Sequence, residues 1–513
     1  LEKKTLWTYI ISFGVILALI LFFQWNPAFH GGGDNAVYMN MGRAIYEGKG
    51  LVQLHVSGTP PDYHIVPGYP VILAGFMAIT GDVKAVILFK ILSAICYWFF
   101  LSILTILLIK NLKISIPAAS GIALFLALNP TTTVFWSSAL SEAPFLLFFG
   151  IAILCLFKYL ERDSWLMLII GALLTVLSVY IRLVGVSFAV AIIIWLFSLK
   201  KTRAAVLFMA ISAVLFMPWV LYVALNGEFA YIGQAGLTTI GIPAFAERVF
   251  SNAGKYLFEF LPIILFPSLE FPAVLRITIG LISTVLFIIG FVATLREREA
   301  RLFPIIVLCF VPAYLVFHYM DLRYLGLIAA PIIYTLIRGV DFLLIKFIVR
   351  CKIYNIVAAV LLTVFVGAVL PSFAESIAHS EKYRKEWNAA GRRLDAIIPL
   401  TEEAASFYEA LYWVAKNTPE DAVLISADLR IAYFISNRQG VYVGQIEGDD
   451  IWRKALKYGF THIILDPFSK MTASRIYPAM RTHPRCFEPV FFTDEPVSVV
   501  FAVDTTRLRM ELD

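Results

Sequence analysis

Charge is what this chain has least of. Asp, Glu, Lys and Arg together make up 15% of its 513 residues, against 60% hydrophobic residues and a mean hydropathy of +0.81. A soluble globular domain carries about 25% charged residues, so one water-soluble fold of this length is excluded. Cysteine is sparse as well. Cys96, Cys155, Cys309, Cys351 and Cys486 form no CxxC pair, which excludes a cysteine zinc site. Cys486 is alone in the C-terminal region, so that region has no internal disulfide. That region also lacks a glycine-rich phosphate loop, and no nucleotide is assigned to it. Histidines 30, 55, 64 and 318 lack metal-ligand spacing. Neither a solenoid-length repeat nor a low-complexity tract is present. The net charge of +6 is modest, and Lys and Arg fall mostly at the ends of apolar runs, where topology explains them. No nucleic-acid partner is expected.

What the chain has in abundance is long apolar runs. Backbone polar groups in hydrocarbon must bond internally, so such runs are helices. A span needs about 20 residues. Eleven spans are expected near 6–24, 85–109, 114–131, 142–160, 165–181, 183–199, 204–225, 276–295, 302–318, 325–345 and 353–371. The run 66–80 is too short to span and reads as re-entrant or interfacial. The first span follows Lys3 and Lys4 but has no small-residue cleavage site after it, so it reads as a retained anchor. With eleven spans, Lys3-Lys4, Lys110/Lys113, Lys158/Arg162, Lys200-Lys201/Arg203, Arg296/Arg298/Arg301 and Lys346/Arg350/Lys352 all fall on one side. The positive-inside rule makes that side the cytoplasm. The first loop 25–84, the loops 131–141 and 226–275, Arg182, the segment 318–324 and everything after Pro371 then face outward.

Composition shifts after Pro371. Glu402 to Lys416 has helical periodicity and stops at Asn417-Thr418-Pro419. Strands are expected at Ala422–Ser426, Ile431–Ile435, Thr461–Asp466, Val490–Thr493 and Val497–Val503, with a helix over 449–458. The expected fold class is mainly α: a polytopic helical membrane bundle, 1–371, with a soluble extracytoplasmic α/β domain, 372–513.

Candidate chemistry gathers at the outer face. Asp34, in Gly31-Gly32-Gly33-Asp34-Asn35, precedes an amphipathic stretch ending at Gly48 and Gly50. As a helix N-cap it has an ordinary explanation, but an acid at the mouth of a membrane bundle is costly and marks a functional candidate. Glu142, in Ser141-Glu142-Ala143-Pro144, opens the fourth span. It reads equally as a charge on the helix macrodipole, with Ser141 as cap. Arg182 and the segment His318-Tyr319-Met320-Asp321-Leu322-Arg323-Tyr324 bring cations to the same face. Arginine binds phosphate through a bidentate fork. Arg323 can instead pair with Asp321, and Arg43 with Glu47 at i,i+4. His64, after Tyr63, reads first as an interfacial histidine.

These residues resemble a known family. Asp34-Asn35-Ala36-Val37-Tyr38, then Gly42-Arg43, then Glu47-Gly48, is similar to the first outer loop of the GT-C superfamily of integral-membrane glycosyltransferases. The nearer likeness is to bacterial and archaeal relatives of protein O-mannosyltransferases and of the lipid A aminoarabinose transferase. Tyr63-His64-Ile65-Val66-Pro67-Gly68-Tyr69-Pro70, Ser141-Glu142 and Arg323-Tyr324 match further segments in order. The resemblance covers roughly residues 6 to 345, and a C-terminal α/β domain is common in such relatives. It implies an inverting transfer of a sugar from a polyprenyl-phosphate donor to a glycan, lipid or protein acceptor, at an inner membrane and outside the cytoplasm. Asp34 would be the catalytic base. Glu142, Asn35 and His64 would position the acceptor or a metal. Arg182, Arg323, Tyr324, Arg43 and His318 would bind the donor phosphate. The chain departs from the family in one place: the acidic pair is Asp34-Asn35. That leaves a divalent cation, Mg or Mn, held by Asp34 and Glu142, as an open alternative. The rival readings are a transporter or flippase, a polymerase or ligase of lipid-linked glycans, and a non-catalytic scaffold. A transporter concentrates its ionisable groups near the midplane, whereas this chain gathers them at one surface.

Overall fold

The computed structural model describes residues 3–29, 33–227, 241–317, 320–347, 351–444, 446–467, 469 and 471–513. The chain is mainly helical. Among the described residues, five helices are long and apolar enough to cross a bilayer: Lys4–Gln24, Val86–Asn111, Glu142–Arg162, Thr202–Asn226 and Ala273–Thr294. The shorter apolar helices Trp165–Ile181, Gly185–Ser198 and Leu302–Val316 coincide with three more expected spans. Ala329–Phe347 covers another. The chain is an integral membrane protein by these helices.

Two expected spans differ. The run 114–131 is broken into Ile116–Leu128 and Pro130–Ser137, bent by 68°. Asn129 makes the break: its side chain accepts from the Thr131 amide and donates to the Ile264 carbonyl at 2.8 Å, and Pro130 cannot continue the first helix because it lacks the N–H. The run 353–371 does not stop at Pro371. The helix Cys351–Ala389 carries that proline inside it, a substitution membrane helices tolerate. The expected outer loop 226–275 also contains helices, Gly241–Lys255 and Leu261–Leu265.

The chain divides into two compact units. One comprises Leu1–Asn26, Tyr63–Gly68 and Lys90–Lys382. The other comprises Pro27–Asp62, Tyr69–Phe89 and Tyr383–Asp513. The second unit thus joins most of the first outer loop to the residues from 383 onward.

In the first unit, helices Glu142–Arg162 and Trp165–Ile181 form a tight hairpin, turned by Asp163 in the left-handed region (φ 47°). Helices Ala273–Thr294 and Ala329–Phe347 cross where Gly290 meets Thr335 and Gly339 meets Leu286. Small residues allow such backbone approach in membrane helices.

In the second unit, strands Leu424–Ile425, His462–Leu465, Val499–Val503 and Phe487–Phe492 form one sheet in that spatial order. The first pair is parallel and the other two are antiparallel. Trp452, Phe460, Ile463, Ile476 and Leu508 fill its core. The α/β class holds, with one correction. Ile431–Ile435 is not a strand but part of the helix Leu429–Ser436. Asp428 caps its start, accepting from the Arg430 and Ile431 amides, and Asn437 ends it in the left-handed region. Caps outweigh the β-branched composition.

The first outer loop is built into this unit. Ala28 and Phe29 pair with Ile398 and Pro399. The Ser57 amide donates to the Gly440 carbonyl at 2.9 Å, and the Gly440 amide to the His55 carbonyl at 3.0 Å. Gln439 Nε2 donates to the Leu54 carbonyl and Lys84 Nζ to the Ile435 carbonyl.

Candidate active site

The described site residues fall into two clusters, one in each unit, with His64 of the first unit outside both. In the membrane unit the hairpin puts the start of Glu142–Arg162 beside the end of Trp165–Ile181. Glu142 is therefore brought to Arg182. Arg182 Nη1 lies 2.8 Å from Glu142 Oε1, and Arg323 Nη1 lies 3.7 Å from the same oxygen. The carboxylate is fully buried, while Arg182 and Arg323 keep 16% and 24% of their side chains exposed. Ser141 does not cap its helix. Its Oγ accepts from Arg182 Nη1 at 3.0 Å.

Asp321 fixes Arg323 from the other side. It accepts from the Arg323 amide at 2.8 Å and from Nε at 2.7 Å. Of the sequence alternatives for Arg323, the pairing with Asp321 is formed. Tyr324 stacks on Tyr314 with ring centroids 5.5 Å apart, and Tyr314 stacks on Tyr256 at 5.8 Å. His318 lies outside the described residues.

The arginines that approach Glu142 both do so at Oε1, and their positive charge there opposes a divalent cation. Among the described residues no group of three or more His, Cys, Asp or Glu side chains could hold a metal.

Below the cluster the surroundings turn apolar. Leu146, Phe149, Gly150 and Ile153 descend the helix that Glu142 opens, and Leu327 sits one turn beyond Arg323. All five line a pocket that Phe188 and Phe303 complete.

In the second unit, the helix Gly33–Tyr46 begins at Gly33, so Asp34 is a first-turn acid rather than the cap. A carboxylate there meets the positive end of the helix. Asp34 is exposed, and Asn35 is 2% exposed. An amide at such a buried position avoids the cost of burying a second charge. The helix is not the half-buried interfacial element its pattern predicts. Gly42 packs tightly against Pro70 and Leu73, Tyr38 meets the Tyr69 ring edge-on at 5.1 Å, and Asn40 donates to the Arg430 carbonyl.

Arg43 is committed to this packing. Its Nε contacts Glu47 at 2.5 Å, Nη1 donates to Asn437 Oδ1 at 2.6 Å, and the guanidinium lies 5.4 Å from the Tyr433 ring centre. Its i,i+4 alternative is the one realised. His64 is exposed and stacks on the neighbouring Tyr63 ring.

Sequence reading missed Arg430. Asp428 accepts from its Nε at 3.0 Å and its Nη2 at 2.8 Å. Burial opposes the Arg430 cation, but the hydrogen bonds and charge of Asp428, followed by the charge of Asp34, raise its pKa above the usual arginine value. A signal was present. Asp428-Leu429-Arg430 repeats Asp321-Leu322-Arg323, and in both the Asp caps a helix while holding the Arg two residues on.

No protein-family model matches this chain, and no curated protein matches it. Solved structures do. ArnT from Cupriavidus metallidurans bound to undecaprenyl phosphate has a TM-score of 0.59 and 14% identity, covering 96% of this chain and 98% of that one. The apo state of the same protein has a TM-score of 0.59 and 13% identity, covering 98% and 99%. At this identity the likeness is one of fold, and it extends over nearly the full length of both chains. The chain has the fold of the GT-C membrane glycosyltransferases.

Proposed function

We propose that this protein is an inverting glycosyltransferase that moves a sugar from a polyprenyl-phosphate donor to an acceptor hydroxyl or amine outside the cytoplasm. One observation carries the reading: a buried carboxylate lies against two partly exposed arginines, and one turn on, the helix it opens lines an apolar pocket with Leu146. A lipid phosphate needs such a pairing of anion site and apolar slot. The fold supports it, since undecaprenyl phosphate is bound in the ArnT structure.

Arg182 and Arg323 bind the phosphate and stabilise the charge that grows on it as the sugar–oxygen bond breaks. Their guanidiniums are fixed by Glu142, Ser141 and Asp321 before reaction, which is what makes electrostatic stabilisation effective. Asp34 accepts the proton of the acceptor as its oxygen or nitrogen attacks the anomeric carbon from the opposite face. A single displacement needs one base. Glu142 positions the arginines. The positive-inside pattern supports a cytoplasmic N-terminus and an outward-facing second unit.

The test gives membranes containing the protein undecaprenyl-phosphate-linked mannose, glucose and aminoarabinose, and measures release of undecaprenyl phosphate. At least one donor turns over. Asp34→Asn slows that turnover about 10²–10⁴-fold, with unchanged membrane insertion and unchanged binding of undecaprenyl phosphate. Parental turnover by this variant removes Asp34 as the base.

A transporter is the second reading, and the broken helix at Asn129 is the observation in its favour. The polar groups at that break bond to each other and to Ile264. Asn129 and Thr132 are also buried.

A further inference from the structure

The C-terminal residues place one cation against the first turn of the helix that carries Asp34. Arg430 belongs to the helix Leu429–Ser436, which packs on Gly33–Tyr46. A Cβ built on Gly33 would fall on the Arg430 guanidinium. That guanidinium is not a loose chain end, because Asp428 holds it with two hydrogen bonds. Asn40 binds the Arg430 carbonyl at 2.9 Å, so backbone and side chain of Arg430 are both tied to this contact. Arg430 remains 39% exposed on its side chain, and Asp34 is exposed beside it.

We propose that Arg430 is a positioning residue for Asp34: the C-terminal region reaches back to the first outer loop and holds the carboxylate in its working orientation. This rests on the reading of Asp34 as the base. A first-turn Asp has several staggered rotamers. A guanidinium pinned over that turn selects among them by charge. Gly33 is part of the device, since any side chain there would displace the guanidinium. Asp428 is the outer support that fixes Arg430. This gives the C-terminal residues a role in the reaction without contact to the sugar.

The experiment compares the parent with Arg430→Ala, Arg430→Lys and Gly33→Ala, each as the full chain in detergent. Gly33→Ala leaves every charge in place, and its thermal unfolding midpoint, measured beside the parent's, separates lost activity from lost folding. The first readout is coupling of glycine ethyl ester to Asp34 by a water-soluble carbodiimide, followed by mass spectrometry. It needs no substrate. Arg430→Ala and Gly33→Ala both raise the labelling rate at Asp34 several-fold, and labelling of the exposed Glu402 stays constant. The second readout is turnover of the undecaprenyl-phosphate-linked sugars. Both variants lower kcat at least tenfold with KM for the donor unchanged. Added guanidinium restores part of the loss in Arg430→Ala, an effect a purely structural role does not produce. Arg430→Lys keeps the charge without the fork and falls between. Unchanged labelling at Asp34 in both Arg430→Ala and Gly33→Ala overturns the proposal. If labelling changes but Asp34→Asn still turns over at the parental rate, the base reading fails and Arg430 orients an acid with no part in catalysis.

Discussion

Arg182 Nη1 lies 2.8 Å from the fully buried Glu142 carboxylate, and that contact organises the membrane unit's polar cluster. Removing one partner of a buried ion pair costs about 3–5 kcal/mol, because the other charge is left uncompensated. Arg182→Ala is expected to cost about 3 kcal/mol, the low end, since Arg323 is still 3.7 Å from the same carboxylate. Thermal unfolding in detergent measures it. Arg323→Ala leaves the Arg182 pair intact and costs less stability. Its affinity for undecaprenyl phosphate falls about tenfold or more, the loss of one hydrogen bond to a charged group worth about 1.5–3 kcal/mol. Titration followed by native mass spectrometry reads that change.

His55 makes stability depend on acid. Burial, with the Arg430 charge added, pushes its pKa down from 6.5 to about 4, against the pull of Asp62 and Asp428. The folded form therefore resists protonation that the unfolded chain accepts. Stability is full above the unfolded pKa and is lost as pH falls from about 6.5 toward 4, by a few kcal/mol. His55→Gln is expected to flatten the unfolding midpoint over that window. An equally steep acid limb in the variant assigns the loss to other groups.

His483 has the opposite sign. Burial opposes its charge, but hydrogen bonds to Asp449 at 3.0 Å and Glu511 at 2.9 Å prevail and raise its pKa. It ties the helices Asp449–Lys457 and Thr505–Leu512 together. The stabilisation is complete below the usual histidine value and is lost as pH rises through the raised one. His483→Gln is expected to lower the midpoint at pH 6 and to approach the parental midpoint at high pH.

Gly290 and Gly339 set the crossing of two membrane helices. A Cβ at Gly339 would lie 2.9 Å from the Leu286 carbonyl carbon and 3.2 Å from the Gly290 amide. Gly339→Ala is expected to force the helices apart at a cost of about 1–3 kcal/mol. Gly254, where an added Cβ meets nothing within 4 Å, serves as the control, and Gly254→Ala is neutral or mildly stabilising in the same unfolding assay.

Legibility varied with the range of the cause. Apolar runs marked the helices Glu142–Arg162, Trp165–Ile181 and Thr202–Asn226 nearly to the residue, because length and hydropathy are local. The break at Asn129 was hidden, since its side chain bonds a carbonyl 135 residues away. Ile431–Ile435 was misread as a strand because its apolar pattern fits either period, and the Asp428 cap decided for the helix. Arg43 was readable only as two alternatives. Asn437 and Tyr433, remote in sequence, chose between them.

By itself the sequence determined that the chain enters a membrane, where most of its apolar helices lie, and which few polar residues stand apart from the apolar mass. Those follow from local burial costs that every residue carries with it. Only the tertiary structure decided that Glu142 bridges two arginines and that Arg430 meets the turn bearing Asp34. A guanidinium and a carboxylate find each other across hundreds of residues through packing, and packing leaves no mark on a single stretch of chain.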